Sequence, residues 1–288
     1  MARFQTWLDR SGLGLISPLL LILLAVFVAP VMLMFPTSLH PYVPGTGIGT
    51  EWTLANYREI ATDPFFHKII LRTLGMALSV TLLTMVIGYP LAYFLARMQS
   101  RIRNWLILLV IFPLLLNLVV RSFGWIALLT KRGLINDFLM SLGIIAEPLV
   151  LIFNLTGLII GMTHIFLPFM VLLTMGAIQN IPVDLEDAAA ALGASRPRVL
   201  ISVVLPLSVP GLLSGAILVF ILSISALVTP RLLGGPTYQV MSTLIFDEFM
   251  QLLNWPLGAA MAFALTGLAL TVIWAAGLIS RRWMAHLT

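Results

Sequence analysis

The chain reads as an all-α polytopic membrane protein, and three observations predict that class. Hydrophobic residues make up 60% of the 288 positions and charged residues only 9%, against roughly 25% charged in an ordinary soluble domain. The apolar residues gather into six runs, each near or above the roughly 20 residues a helix needs to cross a bilayer. No barrel-like pattern is present, and a helix satisfies its own backbone polar groups inside lipid.

The first run, residues 12–35, follows Arg3 and Arg10. It is too long for a cleaved signal peptide and lacks a small-x-small cleavage site, so a retained span is expected. Five more runs cover residues 69–96, 105–129, 150–178, 207–228 and 257–279. Two outer connecting stretches, 54–61 and 133–143, carry apolar residues at helical spacing, and the second is expected to lie along the outer membrane face. These elements describe a single transmembrane domain over residues 1–288, with its core at 69–280.

Orientation follows from the basic residues. With the N-terminus inside, nine Lys and Arg fall on inner segments and seven on outer ones. The cluster Arg97, Arg101 and Arg103 is the clearest part of that bias, which places both termini in the cytoplasm. The same bias accounts for the net charge of +5, so nucleic acid is not an expected partner. Cysteine is absent, which removes disulfides, thiolate metal sites and thiol nucleophiles.

One polar island stands out between the fourth and fifth runs. It holds Asp187-Ala188-Ala189, then Gly193, then Val203 and Leu205-Pro206, within a loop over 182–206. Residues 184–191 predict about two helical turns rich in Ala, the best helix former. Pro182 and Asp184 read as the start, with Asp187 in a capping-box-like position. Gly193 suits a left-handed residue that stops the helix and turns the chain. Small residues at Ala188 and Ala189 admit a close partner surface, while Leu185 and Leu192 offer apolar anchors beside Glu186. Each feature alone fits an ordinary interhelix loop; their joint spacing favours a stiff lever gripped from outside the lipid.

This pattern resembles the EAA loop of binding-protein-dependent ABC importer permeases. Other stretches resemble the spermidine/putrescine branch of that family. They are residues 88–97, Phe112-Pro113 with Asn117 and Arg121, Leu167-Pro168, Leu233-Gly234-Gly235, and Asn254-Trp255-Pro256 through Ala260. The likeness runs over residues 54–282. One departure is Asp187, where the pattern usually has Glu: the charge is kept and the reach shortened.

The resemblance implies a type I ABC importer permease fold in a bacterial inner membrane. It implies that Leu185, Glu186, Asp187, Ala188, Ala189, Leu192, Gly193, Leu205 and Pro206 couple the chain to an ATPase. It also implies a second homologous permease subunit, two ATPase subunits carrying ATP and Mg, and a periplasmic or extracellular solute-binding protein. The implied cargo is a polyamine such as spermidine or putrescine. An amino acid or amine such as 4-aminobutyrate is the alternative.

The chain itself has no phosphate-loop motif, no His-Glu-x-x-His helix and no Gly-x-Ser-x-Gly elbow. No catalytic residue, metal ligand or cofactor of its own is expected; ATP hydrolysis belongs to a separate subunit. The rival classes are an ion-coupled secondary carrier and a membrane scaffold. A coupled carrier would normally place an acid inside a span or build paired half-helices, and every carboxylate here lies at or outside an apolar run.

Five residues are candidates for the solute pathway. Arg121 lies toward the outer part of the third run, where a cation must face protein or water; it is either an anchor or a gate. Asn117, one turn earlier, shares that face and both readings. Asn154 lies on one helical face with Gly157 and Gly161, glycines spaced for close helix contact. Asp247 and Glu248 sit amid Phe246, Phe249 and Trp255, a mixture that suits an amino cation and equally suits a solvated loop.

Overall fold

The structure is a computed structural model that describes residues 18–285, with side chains to residue 278. The described chain divides into two compact units, residues 18–63 with 245–265 and residues 64–244 with 266–285. Five helices are long and apolar enough to span a membrane, or six when one sharply bent pair counts as a single span. The all-α class and the number of spans expected from the sequence are both present.

The first unit begins with α1, Pro18–Ser38, whose apolar window has no buried residue. That is the surface a lipid-facing helix presents. A two-stranded hairpin follows, β1 Tyr42–Val43 paired antiparallel with β2 Gly47–Ile48, which the composition of this stretch does not predict. Next comes α2, Ala55–Thr62, the amphipathic stretch expected there. Its buried Asn56 donates to the carbonyls of Ser38 at 2.9 Å and His40 at 2.8 Å, while Tyr57 shares a 2.8 Å hydrogen bond with the Ser38 hydroxyl. These bonds hold the hairpin against α2 by satisfying carbonyls left over at the end of α1.

The second unit contains α3 Pro64–Arg97, α4 Ile102–Leu115, α5 Leu118–Leu129, α6 Leu134–Ser141 and α7 Leu155–Gln179. Then follow α8 Val183–Ala191 and α9 Arg196–Ser225. After a π-helical turn at Pro230–Gly234 come α10 Met241–Met250 and α11 Trp255–Ala285, each running across the boundary between the units. Helices α3, α7 and α9 pack on one another and make the core. One cluster is built on Met76, Val80, Leu158, Met162, Met170 and Val219. A second, nearer the α8 end, holds Ala92, Leu95, Val171, Ile178, Val199 and Val204.

Three expected boundaries shift, each for a local reason. The run over 105–129 is two helices bent by 98° at Leu116–Asn117. Pro113 ends the ladder of α4, and Leu116 is extended with ψ near 143°. The run from 150 does not become helical until Leu155, because Phe153 takes a left-handed φ of 60° and Asn154 caps the helix. The helix expected from 207 already begins at Arg196 and contains a π-helical turn, Leu200–Val204. Pro206 has no N–H to donate, and a widened turn just before it relieves the clash of its ring with the preceding carbonyls. Val203, Leu205 and Pro206, expected within a loop over 182–206, therefore lie in this helix. Residues 12–17 of the first run lie outside the described residues.

Helices α9 and α7 approach tightly at Gly211 of α9, where a Cβ would collide with the Ala177 Cβ of α7. Gly211→Ala is expected to cost about 1–3 kcal/mol through overpacking. The check is a lowered detergent melting temperature, with Gly176→Ala, which meets nothing within 4 Å, as the neutral comparison.

Candidate functional site

Helix α8 is the centre of the candidate site, and its ends are fixed by different means. Its N-cap is Pro182, with no side-chain capping bond, so the capping box expected at Asp184 and Asp187 does not form. Asp184 and Glu186 instead lie in the first turn, where their charges complement the helix dipole. At the other end Gly193 has a φ of +86°. Its N–H donates to Ala190 O at 2.9 Å and the Ala194 N–H to Ala189 O at 3.1 Å. That pair of bonds is the Schellman arrangement, which closes a helix on a left-handed glycine.

A charged tie anchors the helix to the rest of its unit. The Glu186 carboxylate pairs with the Arg97 guanidinium at 2.7 Å and accepts the Tyr93 hydroxyl at 2.9 Å. Arg97 Nη2 also donates to the Ile181 carbonyl at 3.0 Å, just before α8. The two charged side chains are only 17% and 12% exposed, so this pair is shielded from the screening that weakens surface ion pairs. Both Tyr93 and Arg97 belong to the last two turns of α3, which holds α8 to the end of the longest helix.

The rest of α8 points outward. Leu192 is 90% exposed and Leu185 45%; Asp187 and Ala188 are exposed as well. Ala189 packs instead against the second core cluster. Glu186, expected on the outward face, has its carboxylate occupied by Arg97 and Tyr93. Leu205 and Pro206 are half-buried in α9, with Leu205 against the first cluster. A groove of about 600 Å³ lies between α8 and the start of α9, lined by Tyr93, Asp187, Ala190, Arg196 and Leu200. The outward set is thus Leu185, Asp187, Ala188, Leu192 and Gly193.

The five pathway candidates each have a local setting. The Asn117 side chain caps α5 by accepting from Val119 N at 2.8 Å, and Arg121 stands one turn further on. Asn154 caps α7 by accepting from Gly157 N at 3.0 Å; it is not a residue on the helix face. Gly161 meets Leu233 of the π-helical turn Pro230–Gly234. Asp247 accepts from Gln251 at 2.9 Å. Glu248, beside it, is 7% exposed. Burial raises its carboxyl above the usual range, the charges of Glu59 and Asp247 add to that, and a hydrogen bond from Asn254 opposes it.

Two arrangements escape the sequence pattern. Arg97 is legible only as one of three basic residues at the end of a run; its pairing across 89 residues with Glu186 is a tertiary fact. A second pocket, of about 520 Å³, is lined by Lys68, Arg72 and Tyr238, with the Arg72 guanidinium 5.0 Å from the Tyr238 ring centre. Burial raises the Tyr238 phenol.

Residues 88–285 match the family described as binding-protein-dependent transport system inner membrane component. The chain belongs to that family. It is 34% identical over 250 residues to the spermidine/putrescine transport system permease protein PotB of Escherichia coli, covering 86% of this chain and 90% of the relative. It is 31% identical over 221 residues to the protein of the same name from Haemophilus influenzae, covering 77% of each. The fold also matches a subunit of a bacterial alginate ABC transporter, crystallised with a periplasmic protein that binds an alginate pentasaccharide. The TM-score is 0.78, at 20% identity, over 96% of this chain and 97% of that one. The fold is that of an ABC importer permease, and the chain is a permease subunit of this importer class.

Removing the tie tests its anchoring role. Arg97→Ala is expected to speed amide exchange across 183–193 at least ten-fold, which corresponds to about 1.4 kcal/mol. The double variant Arg97→Glu with Glu186→Arg should recover part of that protection. Exchange unchanged by Arg97→Ala would remove the tie from the account.

Glu248 carries the pH prediction. Because its folded pKa is raised, its contribution is fully present below the unfolded carboxyl pKa and is lost as pH rises through the folded value. Glu248→Gln is therefore expected to raise the melting temperature at neutral pH and to leave it nearly unchanged at acidic pH.

Proposed function

We propose that this subunit carries a small organic amine, a polyamine such as spermidine or putrescine, inward across the bacterial inner membrane by alternating access. A solute-binding protein delivers the cargo from outside. The chain pairs with a second homologous permease, and two ATPase subunits with ATP and Mg supply the work. It performs no chemistry on the cargo and is not itself an enzyme. The polyamine assignment is supported by the named relatives at 31–34% identity.

One observation carries the mechanical part of this reading. Leu192 stands 90% exposed at the end of a helix whose root is tied to α3 and whose tip is locked by a left-handed glycine. An apolar side chain so presented on a rigid two-turn helix fits a pocket on another protein. Displacement of α8 passes through the Arg97–Glu186 pair into α3, and from α3 into the core it shares with α7 and α9. In this reading α8 and both termini are cytoplasmic, where ATP is available. A rigid tie is needed because a flexible link would absorb the motion instead of transmitting it.

Two substitutions test it in cells producing the whole importer. Leu192→Asp is expected to abolish co-purification with the ATPase while the chain still reaches the membrane. Gly193→Val imposes about 1–3 kcal/mol of backbone strain at a left-handed position and should cut labelled putrescine uptake at least ten-fold. Normal uptake by both variants would exclude α8 as the coupling element. Normal coupling with no uptake of any polyamine would exclude the cargo alone.

A further inference from the structure

Among the described residues, Arg121 is a cation with no ion-pair partner. Its Nε and Nη1 are buried and have no hydrogen-bond partner among the described residues. It lines a pocket of about 400 Å³ whose other walls include Leu114, Leu118, Phe166, Phe169 and Leu222, and no carboxylate lines it. The nearest polar ring is no substitute, because His164 Nδ1 already accepts from Trp125 Nε1 at 3.2 Å. A guanidinium keeps its charge in any protein environment, and although Arg121 is only half-buried, leaving two buried nitrogens of a cation unpartnered is costly.

The pocket also sits where two helices are interrupted. Leu114 and Leu118 flank the 98° break between α4 and α5. Ala226 and Leu227 form the break after α9, and Val228 and Thr229 begin the helical turn that follows it. Transporters commonly place binding groups at such interruptions, since broken backbone is tolerated where it lines a cavity.

We propose that this pocket is a carboxylate site, closed by an anionic oxygen group that this chain does not supply. A single cation in an apolar wall matches a monoanion, whereas a phosphate would call for further donors. Two sources offer that chemistry: an Asp or Glu of the second permease subunit, or the cargo itself if it is the amino-acid alternative, since a polyamine carries no carboxylate. The inference rests on the importer reading, because both sources exist only in the assembled transporter.

The test is a structure of the complete importer bound to its cargo-loaded binding protein, together with uptake by Arg121 variants. A carboxylate within hydrogen-bond distance of Arg121 is expected. If it belongs to the second subunit, Arg121→Glu should abolish uptake, and reversing the facing acid to Arg should restore it. If it belongs to the cargo, Arg121→Gln should raise KM at least ten-fold and leave kcat within two-fold. Only water, or this chain's own carbonyls, beside Arg121 in an assembled complex would overturn the proposal. So would uptake by Arg121→Gln with normal KM and kcat. Should Arg121→Gln fail to assemble, the wild-type structure still decides. Failure of the importer reading would look different, because no complex with an ATPase would form at all.

Discussion

A helix of nine residues between two spans has little reason to hold one orientation. Isolated helices of that length are marginal in water, and the exposed residues of α8 gain nothing from burial in this chain. Its position is set by one carboxylate. Glu186 is bound from the same side by a guanidinium and a phenol that both belong to α3, and the guanidinium reaches on to the carbonyl of Ile181. Two residues of α3 and two around the start of α8, far apart in sequence, thereby fix where α8 starts and how it is turned. With Glu186 held against α3, the outward face is left to Leu185, Asp187 and Leu192.

That tie divides the residues of the motif between two directions. The acidic, small and apolar residues of the loop serve two masters. Glu186 and Ala189 bind inward to the chain's own core, and their neighbours face out. Leu205 and Pro206, further along, have a backbone duty: they belong to a helix whose π-helical turn accommodates the proline. A motif can be compact in sequence and still divide between anchoring and contact, because successive residues of a helix point about 100° apart.

The fold class, the spans and the left-handed turn at Gly193 were legible in the sequence because each follows from local physics. Span length is a property of composition, and Gly193 announces itself where an Ala-rich stretch stops. The 98° break at Leu116–Asn117 was not legible from hydropathy, which is blind to direction; Pro113 and Asn117 were the available signals, a ladder breaker followed four residues later by a capping side chain. Asn154 was misplaced for a related reason. Apolar residues continue through Leu151 and Ile152, so hydropathy extended the helix past its cap. The clamp could not be read at all, since no local pattern links Arg97 to Glu186.

The length of α3 carries a consequence of its own. At 34 residues it is about 51 Å long, whereas the hydrocarbon layer is about 30 Å thick. An upright α3 must emerge from the lipid, and even a strongly tilted one overshoots. Roughly four turns of an upright α3 therefore stand in the headgroup layer or in water, shared between its two ends. Tyr93 and Arg97 occupy the last two turns of that helix, so any overhang at this end lifts the ionic joint toward water, where charged groups part and rejoin without crossing a hydrocarbon barrier.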